Sequence, residues 1–481
     1  MKYFLLVICF LFISVKTFSQ QFSQYNTGTL FDSFENPAQA VFIPDTSNKI
    51  AFNFFIPNFN SNLYVTGNGQ VPLKSRAFTG RYLSSGLTIG ENRFSRANAN
   101  ANIYLLMFKV FNSLDGNQEV GVSVQTRAEG RGLFTDETLL LLNGSSAFTN
   151  NEYSNIFNNS YTAQSYHQIS VTYREKISKK FALGIKLSGL LGIQYQQLQI
   201  NQSHITFDRA NDAADITLQG RYRINYTSGD FNRRDLLPSF KSPGAAISIG
   251  TALRTRDNFN LQLNVKDLGF IHWYKRSRVS DFNTTRTAPD ISTARREDNL
   301  YATAFSIIRS ADELQSFTTP TNGIIELSAN KLYWLDYDKR LRYSPTFILQ
   351  KEVFYDGYTA ALVNPIQYNN LVGTLTASYN NYGIFNAGLQ FMVKSPNVEF
   401  YIGSDRLMQS ASFLGAARKS DSQINKNAAY SGADFFLGFS LKFGRLIEHP
   451  LNSSYMPLGD RPGFIIRIWN GIFHPGRDNG D

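Results

Sequence analysis

The sequence predicts an all-β fold, a transmembrane antiparallel β-barrel of about 14 strands (roughly 12 to 16) with short helical insertions in its long connections. The main observation is residues 181–195, where large apolar or aromatic side chains at odd positions alternate with mostly small or polar ones. This alternation lasts 15 residues, whereas an ordinary globular strand has about five or six. An aromatic content of 14% fits a lipid-facing wall with aromatic girdles. Beyond the N-terminus, no apolar run reaches the length of about 18 residues that a membrane helix needs.

Residues 1–19 have the pattern of a secretory signal peptide: a basic start at Lys2, an apolar run over residues 3–15 and a small residue before Gln20. Cys9 is the only cysteine, and it lies within this run, too near the start for a lipoprotein site. The mature chain is therefore predicted to have no disulfide, zinc–thiolate site or cysteine nucleophile. We expect an exported protein of the Gram-negative outer membrane.

The charge distribution does not favour nucleic-acid binding. The formal net charge of +10 falls to +8 when Lys2 and Lys16 leave with the signal peptide, since 47 − 2 = 45 basic residues then face 37 acidic ones. These basic residues are scattered through turns and alternate strand positions, whereas a nucleic-acid site would cluster them on one face. No nucleic-acid partner is expected.

Three regions are expected after the signal peptide: an N-terminal segment (20–47) that is a candidate for the lumen, a barrel (48–443) and a periplasmic C-terminal extension (444–481). The predicted strands are residues 49–57, 103–111, 120–128, 169–173, 181–195, 245–253, 259–265, 323–335, 346–355, 358–367, 371–379, 384–393, 398–403 and 435–443. The stretch 201–243 would add a pair of strands if both of its apolar patches were extended, and residues 58–100 stay unassigned.

The connections carry two helix candidates, residues 136–142 and 297–317. The second helix either folds into the lumen as a plug or gate, or lies on an outer loop. Strand direction follows from turn length, because outer-membrane barrels have short periplasmic turns and longer outer loops. By this parity the extension 444–481 is periplasmic, where it plugs the lumen, packs on the rim or docks on a partner.

Polar and charged side chains at alternate strand positions are predicted to line the lumen. They are Gln125, Arg127, Glu129, Arg131, Arg174, Lys186, Gln194, Arg254 and Lys266. Such residues either line a water path or bind a polar ligand, or they form ion pairs that hold the wall or an internal plug. The ion-pair interpretation is the more common one and is preferred here.

No catalytic or metal site is predicted. None of the five histidines has the H-E-x-x-H spacing of a metal site, and no G-x-S-x-G elbow or phosphate-binding loop is present. His272, beside Trp273 at a strand end, is the best candidate for a catalytic residue, but a histidine at the rim or interface is far commoner. We expect a non-enzymatic protein without a cofactor.

Three short motifs resemble outer-membrane barrels of the Bacteroidota: Asn36-Pro37-Ala38, the stretch VKDLGFIHW at 265–273 and the stretch NVEFYIGSD at 397–405. The chain is similar to a family of uncharacterised barrels in that phylum. It more distantly resembles the FadL-type fatty-acid transporters and the PorV and PorP/SprF proteins of the type IX secretion system. The resemblance implies about 14 strands and an N-terminal segment whose Asn-Pro-Ala motif is able to enter the lumen. It implies no catalytic residues.

Two functions follow as expectations. The first is a transporter or channel for small molecules, with hydrophobic compounds as candidate cargo. The alternative is an accessory or scaffold barrel of an envelope complex such as the type IX secretion system. The expected partners are outer-membrane lipid and, for the alternative, another envelope protein bound through the outer loops or residues 444–481.

Overall fold

A single antiparallel sheet closes on itself to form a barrel of 14 strands in the computed structural model. The structure describes residues 22–38, 47–54, 56–84, 86–91, 93–113, 116–226, 236–355, 357–381, 383–416, 431–447 and 464. The last wall strand pairs with both parts of the first one and thereby closes the barrel. The predicted fold class and strand number are confirmed.

The wall strands and helices are numbered along the chain. The strands are β1 (in two parts, Ser47–Phe52 and Asn58–Thr66), β2 (Phe94–Phe111), β3 (Gln118–Thr135), β4 (Ser160–Lys176), β5 (Phe181–Asp208), β6 (Pro243–Arg254), β7 (Phe259–Trp273), β8 (Ile324–Lys331), β9 (Thr346–Glu352), β10 (Tyr358–Tyr368), β11 (Leu371–Asn380), β12 (Phe385–Lys394), β13 (Val398–Ser404) and β14 (Ser431–Ile447). The helices are α1 (Leu30–Glu35), α2 (Gln70–Thr79), α3 (Asp136–Asn143), α4 (Arg296–Ile308) and α5 (Leu407–Ala416).

Shorter elements complete the described structure outside these wall strands. They are the strands Glu152–Ser154, Ala213–Ile224, Arg278–Pro289, Asp312–Leu314, Phe317–Pro320, Tyr333–Trp334 and Leu341–Tyr343, and the 3-10 turns Phe22–Gln24 and Ser145–Ala147. Among the described residues, no helix combines the length and the apolar character that crossing a membrane requires.

The wall carries its apolar side chains outside and its polar side chains inside. On β5, Leu187 is 59% exposed, whereas its neighbours Lys186 and Ser188 are buried. The same alternation runs along β11, where Leu375 is exposed between two buried threonines. Soluble proteins have the reverse distribution, so the outer surface of this barrel has the character of a lipid-facing wall.

A lobe extends the barrel at the end opposite its short turns. β5 is 28 residues long, and its first part pairs with β6. From Gln196 onwards it pairs with Ala213–Ile224, which in turn pairs with Arg278–Pro289. Helices α3 and α4 cover this extension over a hydrophobic core that includes Ile205 and Phe282. Residues 136–157, 196–224 and 278–308 are called the distal lobe below.

The distal lobe decides two points that the sequence left open. The helix predicted at 136–142 is confirmed as α3, but the one at 297–317 is right only in its first part. α4 ends at Ile308, because Asp312–Leu314 and Phe317–Pro320 pair as short strands with Arg278–Pro289 and β7. α4 belongs to the distal lobe and not to the lumen. Both apolar patches within 201–243 are extended, one at the end of β5 and the other in Ala213–Ile224, and they enlarge the distal lobe without adding a strand to the barrel.

The structure describes only part of the predicted N- and C-terminal regions. Residues 1–19, the predicted signal peptide, lie outside the described residues, as does most of the extension 444–481. β14 continues to Ile447, which pairs with Ser47, so the wall runs past the predicted barrel end at residue 443.

Candidate functional site

Residues 22–38, called the inner segment below, are buried among the inward-facing side chains of the wall. Thr29 caps α1, because its hydroxyl accepts a hydrogen bond from the backbone N–H of Asp32 (3.3 Å). Pro37 cannot continue a helix, and α1 ends at Glu35. A six-residue helix is marginal by itself, so the wall must supply most of its stability.

The inner segment makes hydrogen bonds to strands on different sides of the barrel. The backbone N–H of Leu30 donates to Glu399 on β13 (2.9 Å), and Lys109 on β2 donates to Ser33 (2.7 Å). Asn36 donates to Gln262 on β7 (2.9 Å). Because β7 lies across the closed sheet from β13 and β2, the segment spans the interior and fills part of the lumen.

Glycines on the wall make room for the Asn-Pro-Ala motif. A β-carbon on Gly184 of β5 would lie 2.6 Å from Pro37, and one on Gly250 of β6 would lie 3.1 Å from the backbone N of Ala38. On β3, a β-carbon at Gly121 would lie 2.8 Å from the ring of Phe34. These distances are below van der Waals contact, so the backbone of the motif packs directly on the backbone of the wall.

One apolar contact anchors α1. Leu30, Phe31 and Phe34 are buried against a cluster of wall side chains. The cluster consists of Ala51, Tyr104, Met107, Val372, Met392, Tyr401 and Phe436. The ring of Phe31 meets the ring of Tyr104 edge-on, with centroids 5.6 Å apart. This patch fixes the helix position, while the remaining contacts of the segment are mostly polar.

Glu35 is held by a buried network of charges. Its carboxylate lies 3.1 Å from Arg127 and accepts a hydrogen bond from the Tyr104 hydroxyl (2.7 Å). Arg127 also pairs with Asp267 (2.5 Å), which in turn pairs with Lys186 (3.2 Å). These charges are largely removed from water. Removing one partner of such a buried pair leaves the other charge unpaired, which costs about 3–5 kcal/mol of stability.

Other buried ion pairs complete a charged layer around the inner segment. They are Lys109–Glu119, Arg174–Glu119, Lys266–Glu326 and Lys442–Glu399. In addition, the ammonium group of Lys394 donates a hydrogen bond to the backbone carbonyl of Thr27. Together with Arg127, Lys186 and Asp267, this layer has seven basic wall groups and four acidic ones, a difference of 7 − 4 = +3. The inner segment contributes Asp32 and Glu35 and no basic residue. Wall and segment are therefore electrostatically complementary.

Most of the predicted lumen-lining residues do face the interior. Gln125, Arg127, Glu129, Arg174, Lys186 and Lys266 are buried, and Arg131 makes a bidentate pair with Glu352 (2.6 and 2.8 Å). Gln125 bonds to Gln168 of the neighbouring strand (2.5 Å). Of the motif, Asn36 and Ala38 are buried with Pro37 against the wall glycines. Arg127, Lys186 and Lys266 are thus brought together, whereas Gln125 and Arg131 lie outside the charged layer.

Two of the predicted positions differ from the prediction. A bulge in β5 pairs Gly192 with Tyr166 and Gln194 with the adjacent Ser165, so the extra residue moves Gln194 to the opposite face from Lys186. Gln194 there donates to the hydroxyl of Tyr226 (2.7 Å). Arg254 lies at the end of β6, and its guanidinium donates to Asn258 in the following turn (3.1 Å).

The prediction missed the acidic half of the charged layer and three of its lysines, Lys109, Lys394 and Lys442. Glu326 lies between Ile325 and Leu327, and Lys442 lies between Leu441 and Phe443. A charge flanked by apolar residues on a strand points to the face opposite its neighbours. That signal was available for Glu399 and Lys109 as well, but it does not reveal which charges meet across the lumen.

A pocket opens at the end of the inner segment that is nearer the distal lobe. Phe22, the first described residue, forms part of its lining, and its backbone N–H donates to Asp405 (2.9 Å). The empty volume is about 740 Å³, part of it open to solvent. The other lining residues are Asn62, Tyr64, Asn98, Asn100, Arg131, Gln350, Glu352, Gly357, Tyr358, Thr359, Ser378, Asn380, Asn381, Asn386, Asp405 and Arg406.

The described residues contain no cluster that could hold a metal ion. No group of three or more His, Cys, Asp or Glu side chains among them is placed to hold a metal ion. His272 is exposed and bonds to the hydroxyl of Thr318 (3.0 Å) on the neighbouring strand.

Comparison with known proteins gives a family and a set of distant barrels. A family model described as "Family of unknown function (DUF5723)" matches residues 26–405. The chain belongs to this family. A search of the curated proteins gives no match. The family match covers the inner segment from Asn26 and most of the wall.

The similar solved structures are bacterial barrels. A monoaromatic hydrocarbon channel, the TodX deltaS2S3 mutant, shares 8% identity over 90% of this chain and 98% of its own, with a TM-score of 0.41. The toluene transporter TodX of P. putida shares 8% over 85% and 93%, with a TM-score of 0.40. The translocator domain of the Neisseria meningitidis autotransporter NalP shares 7% over 82% and 89%, with a TM-score of 0.32. Similarities at this level carry no argument about function.

Proposed function

We propose that the protein is a non-enzymatic channel of the outer membrane whose lumen the inner segment closes, and that displacement of this segment opens a path for small molecules. The observation that carries the proposal is the crossing of the lumen by residues 22–38, held on several strands at once. A wall of 14 strands encloses more space than its own side chains fill. A segment contributed by the chain itself fills it here.

The chemistry of its contacts indicates that the inner segment is a removable gate and not a permanent core of the barrel. Ser33, Asn36 and the backbone of Leu30 bind the wall through hydrogen bonds and charges, and these groups are readily solvated by water when the segment leaves. If the segment were held only by apolar packing, its removal would expose apolar surface to water, at a free-energy cost of about 25 cal/mol per Å². The apolar patch around Phe31 and Phe34 is the part that opening must disrupt.

The cargo class follows from the pocket beside Phe22. Amide, hydroxyl and charged side chains dominate its lining, with Phe22 as the one wholly apolar side chain. Small-molecule sites for hydrophobic ligands are lined mainly by apolar and aromatic groups. A polar cargo is therefore proposed in place of the hydrophobic one expected from the sequence.

Deletion of residues 22–38 from the otherwise complete chain tests the channel. In planar lipid bilayers, the intact protein should show little or no conductance and the deletion variant should show large, stable openings. Retention of heat-modifiable migration on gels would establish that the variant still forms a barrel. A folded deletion variant with the conductance of the intact protein would refute the proposal.

The distal lobe favours a second candidate, a barrel that binds another envelope protein. Its hydrophobic core, which includes Phe148, Ile205 and Phe282, builds a folded platform beyond the wall. An envelope complex such as the type IX secretion system is the partner class expected from the sequence. A pull-down from native membranes, comparing the intact protein with a variant that lacks residues 278–308, separates the scaffold from the channel. A scaffold should lose its partner protein in this variant, whereas a channel should keep its gated conductance.

A further inference from the structure

The pocket beside Phe22 has the chemistry of a binding site for an uncharged polar molecule. Six of its lining residues are asparagines, contributed by β1, β2, β11, β12 and the turn that follows β11. Asparagine is disfavoured in strands, so a ring of inward asparagines needs a reason other than strand formation. Each amide both donates and accepts hydrogen bonds, which suits a ligand with many hydroxyl groups.

The charges in the pocket cancel. Counted as formal charges, Arg131 and Arg406 contribute two positive charges, and Glu352 and Asp405 contribute two negative ones, so the sum is 2 − 2 = 0. Arg131 is already engaged by Glu352 in a bidentate pair. An ionic ligand would leave one of these charges uncompensated in a partly dehydrated site. The pocket therefore suits a neutral molecule and not a fatty acid or a phosphate.

Several buried side-chain oxygens in the pocket are unsatisfied. Within the part of the chain that the structure describes, the side-chain carbonyls of Asn62, Asn98 and Gln350 accept no hydrogen bond. Asn62 is 6% exposed and Gln350 is 4% exposed. Buried acceptors without partners are uncommon in native proteins, and here they occur together on one pocket, where hydroxyl donors of a ligand would satisfy them.

The aromatic surface of the pocket agrees with this ligand class. Phe22 contributes a ring with apolar faces, whereas the guanidinium of Arg406 lies over the ring of Tyr64, 4.3 Å from its centroid. A pyranose ring has an apolar C–H face and an equatorial belt of hydroxyl groups, which would lie on the ring of Phe22 and on the amides.

We propose that this pocket binds a neutral saccharide, a mono- or disaccharide or the end of a longer glycan. The proposal deepens the channel function by naming its cargo class, and it rests on that function only for the subsequent passage of the sugar. Because Phe22 belongs to the inner segment, an occupied pocket contacts the gate directly.

Calorimetric titration of the full-length protein with maltose, cellobiose and lactose tests the binding. Lauryldimethylamine oxide is the detergent to use, since an alkyl maltoside would itself place a disaccharide in the pocket. At least one of these sugars should bind, with its affinity lowered about tenfold or more in Asn62→Leu and Gln350→Leu. Asn260→Leu is the matched control, because Asn260 also has an unpartnered buried oxygen but lies outside the pocket.

The outcomes separate binding from transport. Absence of binding by all three sugars to a protein with heat-modifiable migration would overturn the proposal, as would equal binding by the wild type and both pocket variants. Sugar binding without conductance in the variant lacking 22–38 would leave the pocket assignment standing and refute the channel. Conductance in that variant, together with no sugar binding by the intact protein, would support the channel and refute the assignment of the pocket to sugars.

Discussion

Gly184 of β5 and Pro37 of the inner segment meet with no space for a side chain between them. A β-carbon on Gly184 would lie 2.6 Å from both the Cβ and the carbonyl carbon of Pro37. The obstacle is backbone, which cannot rotate aside as a flexible side chain would. The closed position of the inner segment therefore depends on a glycine in the wall, 147 residues further along the chain (184 − 37 = 147).

Substitution Gly184→Ala is expected to displace the inner segment while keeping the barrel. The new methyl group occupies the place of Pro37, so the bilayer conductance of the variant should rise towards that of the deletion of 22–38. In a Cys9→Ser background, a Ser33→Cys reporter should become reactive to a membrane-impermeant maleimide. Gly189→Ala on the same strand is the control, because a β-carbon there has nothing within 4 Å. Equal labelling of the two variants would contradict the assignment.

Arg127→Gln is expected to lower the free energy of unfolding by about 3–5 kcal/mol, because it removes the ion-pair partner of Glu35 and leaves the buried Asp267 with Lys186 as its remaining basic partner. Arg221→Gln removes a charge from an exposed pair with Asp281 and should cost about 0–1 kcal/mol. Urea titration of both variants in lipid vesicles measures the difference. Combining Arg127→Gln with Glu35→Gln should cost less than the sum of the two single changes; strict additivity would argue against a direct interaction.

The wall could be predicted from the sequence wherever large apolar residues alternate with polar ones. Residues 181–195 and 435–443 are strands for this reason, and closure with 14 strands followed from counting such stretches. The second part of β1 and the first half of β2 were not recognised. Asparagines at alternate positions pair there across the strands, Asn60 with Asn102 and Asn62 with Asn100. Their low strand propensity hid an inward-facing polar ladder.

The candidate site was predictable only in part, because its contacts join residues far apart in the chain. The alternation of apolar and polar positions along each strand identified Arg127, Lys186 and Lys266 as inward-facing. Glu35, however, is 92 residues from Arg127, and no local pattern in the sequence pairs the two. Gln194 was misplaced because a bulge in β5 shifts the register by one residue, a change that hydrophobic alternation does not show. Seven wall strands contribute to the pocket at Phe22, as does the turn that follows β13. The pocket therefore exists only in the closed fold. The strands are β1, β2, β3, β9, β10, β11 and β12.

Leu187→Arg should destabilise the barrel in a lipid bilayer by about 2–4 kcal/mol, since Leu187 is exposed on the outer wall near the middle of the proposed span. Leu314→Arg is a matched control: Leu314 has a similar exposed fraction, 64% against 59%, but lies on a short strand that pairs with the distal lobe. Its cost should be near zero in water. Urea-induced unfolding in vesicles gives both values. Equal costs would show that the exposed belt does not face lipid.

Removal of residues 22–38 should leave an anion-selective pore. The seven basic wall groups of the charged layer then face four carboxylates without Asp32 and Glu35, an excess of +3 that attracts anions and repels cations. The reversal potential under a KCl gradient measures this preference. In the deletion background, Lys186→Gln should weaken the selectivity and Glu326→Gln should strengthen it, whereas Arg221→Gln on the exposed distal lobe should leave it unchanged. Cation selectivity, or insensitivity to both lumen changes, would mean that the current does not pass through this layer.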